Sequence, residues 1–184
     1  KSKDGVNNQP QRWLVYCEDI MQLKELSKEI RKANLSCTEY YSELDTRTLE
    51  ATLKQFYKKG GIILSIGCLD EGVDIPAADH ALIIASSSNK RQYIQRRGRV
   101  LRFDKNNAFK RAKIFDLITT APSISDKYIK AMVRTELTRA HEFSEYARNK
   151  DTAQIKIEGL FLKYGISRKE GIYIETEDIE IDDP

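Results

Sequence analysis

Two short stretches of the 184-residue chain carry side chains whose types and spacing could do chemistry. The first is Gln95-Arg96-Arg97-Gly98-Arg99-Val100-Leu101-Arg102. Arg99 and Arg102 are three residues apart, which puts both guanidinium groups on one side of a helix or its last turn. Each is a fixed fork of N–H donors that stays charged at any relevant pH. Two such forks side by side match the non-bridging oxygens of a polyphosphate. Gly98 carries no side chain and permits close backbone approach. The second stretch is Glu71-Gly72-Val73-Asp74-Ile75-Pro76. Gly72 can adopt backbone angles closed to other residues, and Asp74 is a short acceptor suited to a ribose hydroxyl. Taken singly, each stretch has a plainer explanation: a solvated basic helix for the arginines, a turn with a helix cap for Gly72 and Asp74.

The elements that must position these residues alternate short apolar runs with helical patterns, as in a parallel α/β sheet. Strands are expected at Arg12–Cys17, Leu35–Tyr41, Ile62–Ile66, Ala81–Ala85 and Lys113–Ile118. Asp19, with Gln22 three residues on, offers a cap to a helix whose face is Leu23, Leu26 and Ile30. Asp45 or Thr46 can cap the next, with Leu49, Leu53 and Phe56 on one face, and Gly60 and Gly61 end it. Asn89–Gly98 also reads as helical. The near-continuous apolar run Ile62–Ile66 suits a strand covered on both sides. Short connections imply right-handed crossovers with helices on both faces, a doubly wound sheet. In such a sheet the carboxyl ends of neighbouring strands share one rim, where ligands bind. Glu71–Pro76 follows the third strand and Gln95–Arg102 the fourth, so both project onto that edge.

The expected division is a flexible polar leader over residues 1–10, the sheet domain over 11–120 and a helical appendage with an acidic tail over 121–184. The texture changes at Ala121-Pro122. Ser123 with Asp126 resembles a capping box, and Ile129, Val133, Leu137, Ala140, Phe143 and Ala147 lie along one stripe of the helix that follows. A second amphipathic stretch runs over roughly Ala153–Tyr164. The pair is expected to pack back on the sheet or to reach a neighbouring domain. Gly171–Pro184 alternates apolar and acidic residues, as an edge strand or a disordered tail would.

Composition narrows the classes. Forty per cent hydrophobic residues suffices for a core, and no apolar run approaches the roughly 20 residues needed to span a bilayer, so no membrane partner is expected. Cys17, Cys37 and Cys68 form no CxxC pair and sit within or beside apolar stretches, which reads as reduced core thiols and a cytoplasmic protein. His80 and His141 lack ligand-like neighbours, so no metal site is expected. The net charge of +3 conceals an asymmetry: Lys90–Lys113 holds ten basic residues and one acid, Glu175–Asp183 six acids and no base. A basic cluster of that density is either a solvated face or a footprint for the phosphates of nucleotide or nucleic acid.

The combination of motifs is more specific than its parts. Four fixed residues in the pattern QxxGRxxR arise by chance on the order of once per 10⁵ start positions. Here the pattern stands about twenty residues after GxDIP, across an apolar strand. Over roughly Gln11–Leu117 the chain resembles the second RecA-like lobe of superfamily 2 helicases. RWLVYC is similar to the strand of motif IV. Ser42-Glu43-Leu44 with Arg47 and Phe56 resembles the segment between motifs IV and V, Ile63–Pro76 resembles motif V, and Gln95–Arg102 motif VI. The EGVDIP form is similar to that of excision-repair and restriction-enzyme motors rather than the DEAD-box group, which makes DNA the expected nucleic acid.

The resemblance implies a RecA-like doubly wound parallel sheet with a C-terminal helical appendage, acting as the second motor lobe of an ATP-dependent helicase or translocase. Arg99 and Arg102 would be the catalytic arginines, reaching across a cleft to ATP phosphates. Gln95, Gly98, Gly72 and Asp74 would complete the ATP site, with Asp74 near the ribose and lobe interface. The threonine that commonly touches nucleic acid in motif V falls at Ile66, which cannot donate a hydrogen bond, so Ser65 or the backbone N–H of Gly67 would take that contact. Leu101 stands where motif VI often has a second glycine. ATP with Mg2+ would be bound mainly by a first RecA-like lobe of the same parent chain. This sequence has no GxxxxGK[ST] loop and no acidic DExx strand, so alone it is expected to be inactive as an ATPase. The alternative is a RecA-like module that docks nucleic acid or protein without motor activity, against which the intact Gln95, Gly98, Arg99 and Arg102 argue. A self-contained phosphate-binding enzyme fails for want of a nucleophile–base constellation.

Overall fold

The computed structural model describes residues 10–66, 78–84, 98, 111–124 and 126–167. They form two compact units, divided between Leu117 and Ile118.

The first unit is a five-stranded parallel sheet: β1 (Arg12–Tyr16), β2 (Cys37–Tyr40), β3 (Gly61–Ser65), β4 (His80–Ile83) and β5 (Lys113–Asp116), in the order β2-β3-β1-β4-β5. Helix α1 (Ile20–Lys32) connects β1 to β2, and α2 (Thr46–Lys59) connects β2 to β3. The chain moves outward from β1 to β2 and then back to β3, so right-handed crossovers put α1 and α2 on opposite faces. Both faces are accordingly buried. Leu23 of α1 packs with Val15, Cys17 and Leu64 on one, while Leu14, Tyr16, Ile63 and Ile83 are buried on the other. Strands covered on both sides need apolar residues at consecutive positions, which is why RWLVY and GIILS read as runs rather than alternations.

Local signals set the helix ends. The Asp19 carboxylate accepts from Gln22 N at 2.7 Å, and Gln22 Oε1 accepts in return from Glu18 N at 2.9 Å, one residue ahead of the usual capping-box partner. At the other end of α1, Asn34 takes φ 59°, and the amides of Asn34 and Leu35 donate to Arg31 and Ile30 carbonyls. This is the paired terminal closure that a left-handed residue permits. Of the two expected caps for α2, Asp45 is the one used, accepting from Thr48 N at 3.0 Å. Gly60 ends α2 with φ 69°, and a Cβ there would stand 2.7 Å from Gln11 O and 2.9 Å from Pro10 Cβ. Only glycine fits where the chain entering β1 passes so close.

The second unit is a helical hairpin, α3 (Lys127–Ser144) and α4 (Lys150–Lys163). Val133, Leu137 and Ala140 of α3 meet Ile157 and Phe161 of α4, with Tyr164 and Ile166 closing the cluster and Ile118, Ala121 and Ile124 packed on its edge. Tyr164 Oη donates to Ala121 O at 2.9 Å, tying the leading segment to the hairpin's end. Gly165, at φ 56°, repeats the closure seen after α1: Ile166 N donates to Phe161 O and Gly165 N to Leu162 O.

Three local expectations are corrected. Asp126 is itself the cap of α3, accepting from Tyr128 N at 2.6 Å, rather than the third residue of a box opened by Ser123. Helix α3 ends at Ser144, so Ala147 falls beyond the stripe. The second helix is not amphipathic in the simple sense: Ile157 and Phe161 are buried, but Ile155 and Leu162 stand exposed. The expected helix over residues 89–97, the leader over 1–9 and the tail over 171–184 lie outside the described residues.

Candidate functional site

The register of the strands defines one rim. Tyr16 pairs with Ser65 of β3 on one side and with Ile83 of β4 on the other. Continuing outward, Ser65 pairs with Tyr40 and Ile83 with Asp116. Backbone hydrogen bonds carry the ladder one step further: Cys17 N donates to Ser65 O at 2.8 Å, Ile84 N to Tyr16 O at 3.2 Å and Leu117 N to Ile83 O at 3.0 Å. The carboxyl ends of β3, β1 and β4 are therefore neighbours at a single level. The chain leaves β3 through Ile66 toward Glu71–Pro76, and leaves β4 through Ile84 toward Gln95–Arg102. The strand order takes the chain from β1 outward to β2 but from β3 across β1 to β4, so the direction of travel reverses at the β1–β3 junction, a topological switch point and the usual position of a ligand crevice in an open parallel sheet.

Of the expected site residues, Ser65 and Gly98 are described. Arg99, Arg102, Gln95, Gly72, Asp74 and Gly67 lie outside the described residues. Gly98 is helical and exposed, and a Cβ there would meet nothing within 4 Å. Neither its backbone angle nor packing among the described residues requires a glycine. Ser65 is different: it is fully buried, and its Oγ donates to Ile66 O at 3.2 Å. Its hydroxyl is engaged with the backbone of the residue that follows the strand.

Sequence reasoning missed the polar row that shares this rim. Tyr40, Ser65, Tyr16 and, beyond Ile83, Asp116 stand in register across the sheet, and partner residues of parallel strands share a face. Three hydroxyls and a carboxylate thus line the end of one face directly beneath the strand exits. Each is the last residue of its strand, and a polar residue closing an apolar run was the available signal. Among the described residues no group of three or more His, Cys, Asp or Glu could hold a metal ion. No described helix is long and apolar enough to cross a membrane.

A second polar cluster lies on α1, away from the rim. Glu39 accepts from Ser27 Oγ at 2.8 Å and pairs with Lys24 at 2.5 Å, with Arg31 at 3.7 Å. Partial burial works against its charge, but the Lys24 and Ser27 hydrogen bonds and the Arg31 charge outweigh it and hold the carboxyl below its ordinary value. The hydrogen bonds that Lys24 donates to Glu39 and to Tyr41 Oη raise its own pKa. These partners satisfy one another, so the cluster reads as a brace between α1 and β2.

A five-stranded parallel sheet with helices and this rim defines the class: a RecA-like lobe of the helicase C-terminal kind. Residues 4–104, more than half of the chain, match the family described as helicase conserved C-terminal domain. The chain belongs to that family. It is 28% identical over 91 residues to the ATP-dependent RNA helicase eIF4A of Kluyveromyces lactis, a match covering 49% of this chain and 23% of that protein. Against Eukaryotic initiation factor 4A of Cryptosporidium parvum the identity is 23% over 93 residues, covering 50% and 23%. The chain thus matches about a quarter of the length of these curated relatives. Among solved structures, the C-terminal part of the Fun30 ATPase domain superposes with a TM-score of 0.56 at 16% identity, covering 82% of this chain and 48% of that one. The C-terminal domain of the DEAD-box protein Dbp5 gives 0.54 at 13% identity, covering 82% and 83%. At such identities the likeness is one of fold.

Proposed function

We propose that this lobe is the second half of a two-lobe ATP-dependent motor on nucleic acid, with Arg99 and Arg102 as its arginine fingers. The observation that carries the reading is positional. Two motif stretches, one with a ribose-type acceptor and one with paired guanidiniums, follow β3 and β4, the strands that flank β1 on either side, at the carboxyl rim of a helicase C-terminal lobe. ATP with Mg2+, held mainly by the first lobe, supplies the phosphoryl group whose transfer to water drives the cycle. The chain's own residues hold charge and position. Arg99 and Arg102 would grip phosphate oxygens across the lobe cleft, Gln95 would order them, and Gly98 would let the backbone come close. Gly72 and Asp74 would form the ribose side and the lobe interface. With the Ser65 hydroxyl engaged inward, the nucleic-acid contact falls in this reading to the backbone N–H of Gly67. Opening and closing of the two lobes would then advance them along a strand.

The preference for DNA rests on the Glu71–Pro76 form, which is similar to that of excision-repair and restriction-type motors. The curated relatives carry RNA-helicase and initiation-factor names, so the test must compare both polymers. ATP turnover of the two-lobe parent should rise more with single-stranded DNA than with RNA of the same sequence; the reverse order would reassign the track. The isolated chain should turn over no ATP with either, because the phosphate cradle and metal-binding acid are not in it. Turnover by the isolated chain at even about one per second would overturn the division of labour.

A further inference from the structure

A groove of about 620 Å³ runs beside the seam of the helical hairpin, between His141 and Glu145 on one side and Asp151, Ile155, Glu158 and Leu162 of α4 on the other. Two features mark it as built for a neighbour. Ile155 and Leu162 are 73% and 82% exposed, although both are large and apolar. Between them sits Gly159, in the helix interior, where glycine is a poor helix former. A Cβ at Gly159 would meet nothing within 4 Å, and its φ is not positive. Neither the backbone nor the packing of this unit asks for a glycine, whereas an approaching helix would gain from the missing side chain.

Charge identifies the occupant. Among the described residues the groove lining holds three carboxylates, Glu145, Asp151 and Glu158, one imidazole, and no lysine or arginine. Glu145 is paired with Lys150 and accepts from Gln154, and Glu158 lies 3.4 Å from His141 Nε2. Asp151 stands in the first turn of α4. Such a surface repels a phosphate backbone. It also disfavours a second copy docked through the same face, which would set carboxylates against carboxylates. We propose that it receives a basic amphipathic helix of a partner protein, whose leucine-type side chains cover Ile155, Gly159 and Leu162 while its lysines or arginines face Asp151 and Glu158. This inference is independent of the rim and its arginines.

The test uses the 184-residue chain and a labelled helical peptide of about 18 residues, with leucines at i, i+3, i+4 and i+7 and lysines elsewhere. A scrambled peptide of the same composition is the control, and binding is read by fluorescence anisotropy. The patterned peptide should bind at least about ten-fold tighter than the scrambled one, less so as salt rises. Ile155→Asp and Leu162→Asp, both at exposed positions, should each weaken it at least about ten-fold. Asp151→Lys with Glu158→Lys should transfer the preference to a glutamate-for-lysine analogue, a gain that misfolding cannot mimic. Equal binding of patterned and scrambled peptides would overturn the proposal. So would binding that survives the Ile155 and Leu162 variants, which would locate it on the acidic run Glu175–Asp183. Self-association of the chain abolished by the same variants would make a second copy the occupant instead.

Discussion

In the sheet unit every central strand is covered on both faces, whereas in the helical unit each helix buries a single stripe against the other. The consequence is visible in what remains outside. Among the described residues, ten exposed large hydrophobics divide equally between the two units, yet the helical unit has fewer described residues over which to spread them. A parallel sheet closes its own core and leaves only its rim for chemistry. A two-helix hairpin cannot close around itself, and its outward apolar residues are available for recognition. The contrast teaches that polar residues at a strand end and apolar residues on a helix face are each the informative exceptions of their own architecture.

The largest effect expected from this contrast belongs to the rim. In the proposed two-lobe parent, Arg99→Ala or Arg102→Ala should lower ATP turnover by about 10³-fold or more while nucleic-acid affinity holds. A loss of affinity with a shallower salt dependence would instead make these arginines backbone contacts. Next come the two cores. Leu64→Ala in β3 and Leu137→Ala in α3 each remove a fully buried side chain and should cost about 2–5 kcal/mol. The chain has one tryptophan, Trp13, and it lies in the sheet unit. Denaturation followed by its fluorescence and by far-UV circular dichroism should therefore separate the two effects. If both variants move both signals together, the two units share one cooperative transition and the contrast weakens.

Smaller effects test the local devices. Asp126→Ala removes the side-chain cap of α3 and should destabilise the helical unit by about 1 kcal/mol in thermal melts, whereas Ser123→Ala should be near neutral. Glu39→Gln should cost roughly 0.5–1 kcal/mol near neutral pH. Because the folded carboxyl lies below its ordinary value of 4.5, this contribution is present above that value. It is lost as pH falls through the lowered folded value. Stability of the wild type and variant should therefore converge in acid, and a gap that persists there would assign the cost to packing.

Much of the sheet was legible because its signals are local or continuous. Asp19 and Asp45 announce helices within three residues, and the apolar runs of β1 and β3 need no partner to be seen. The strands were read one residue too long at Cys17 and Ile66, since an apolar residue just past the ladder looks like one inside it. Ser123 and Asp126 fit two registers of the same pattern, and only the amide that each carboxylate or hydroxyl meets decides between them. Phe143 and Ala147 extend the stripe of α3 with no glycine or proline between them to mark the end at Ser144. The candidate site divides in the same way. Motif spacing pointed to the rim, and the register sets the ends of β3 and β4 on either side of β1 at one level. Burial of the Ser65 hydroxyl, and the row from Tyr40 to Asp116, depend on pairings between segments far apart in sequence.

Gly60 carries a last consequence. It sits at the end of the sheet opposite the strand exits, wedged against the backbone that enters β1. Any side chain there would lever β1 away from β3 at its first pair, Arg12 with Gly61, and the displacement would propagate along two strands to the crevice. A survey of tolerated substitutions would then score this residue as strictly as a ligand-binding one, though it lies at the end of the sheet opposite the rim. Intolerance at such a position reports on the scaffold's alignment, and separating it from chemistry requires measuring folding alongside turnover.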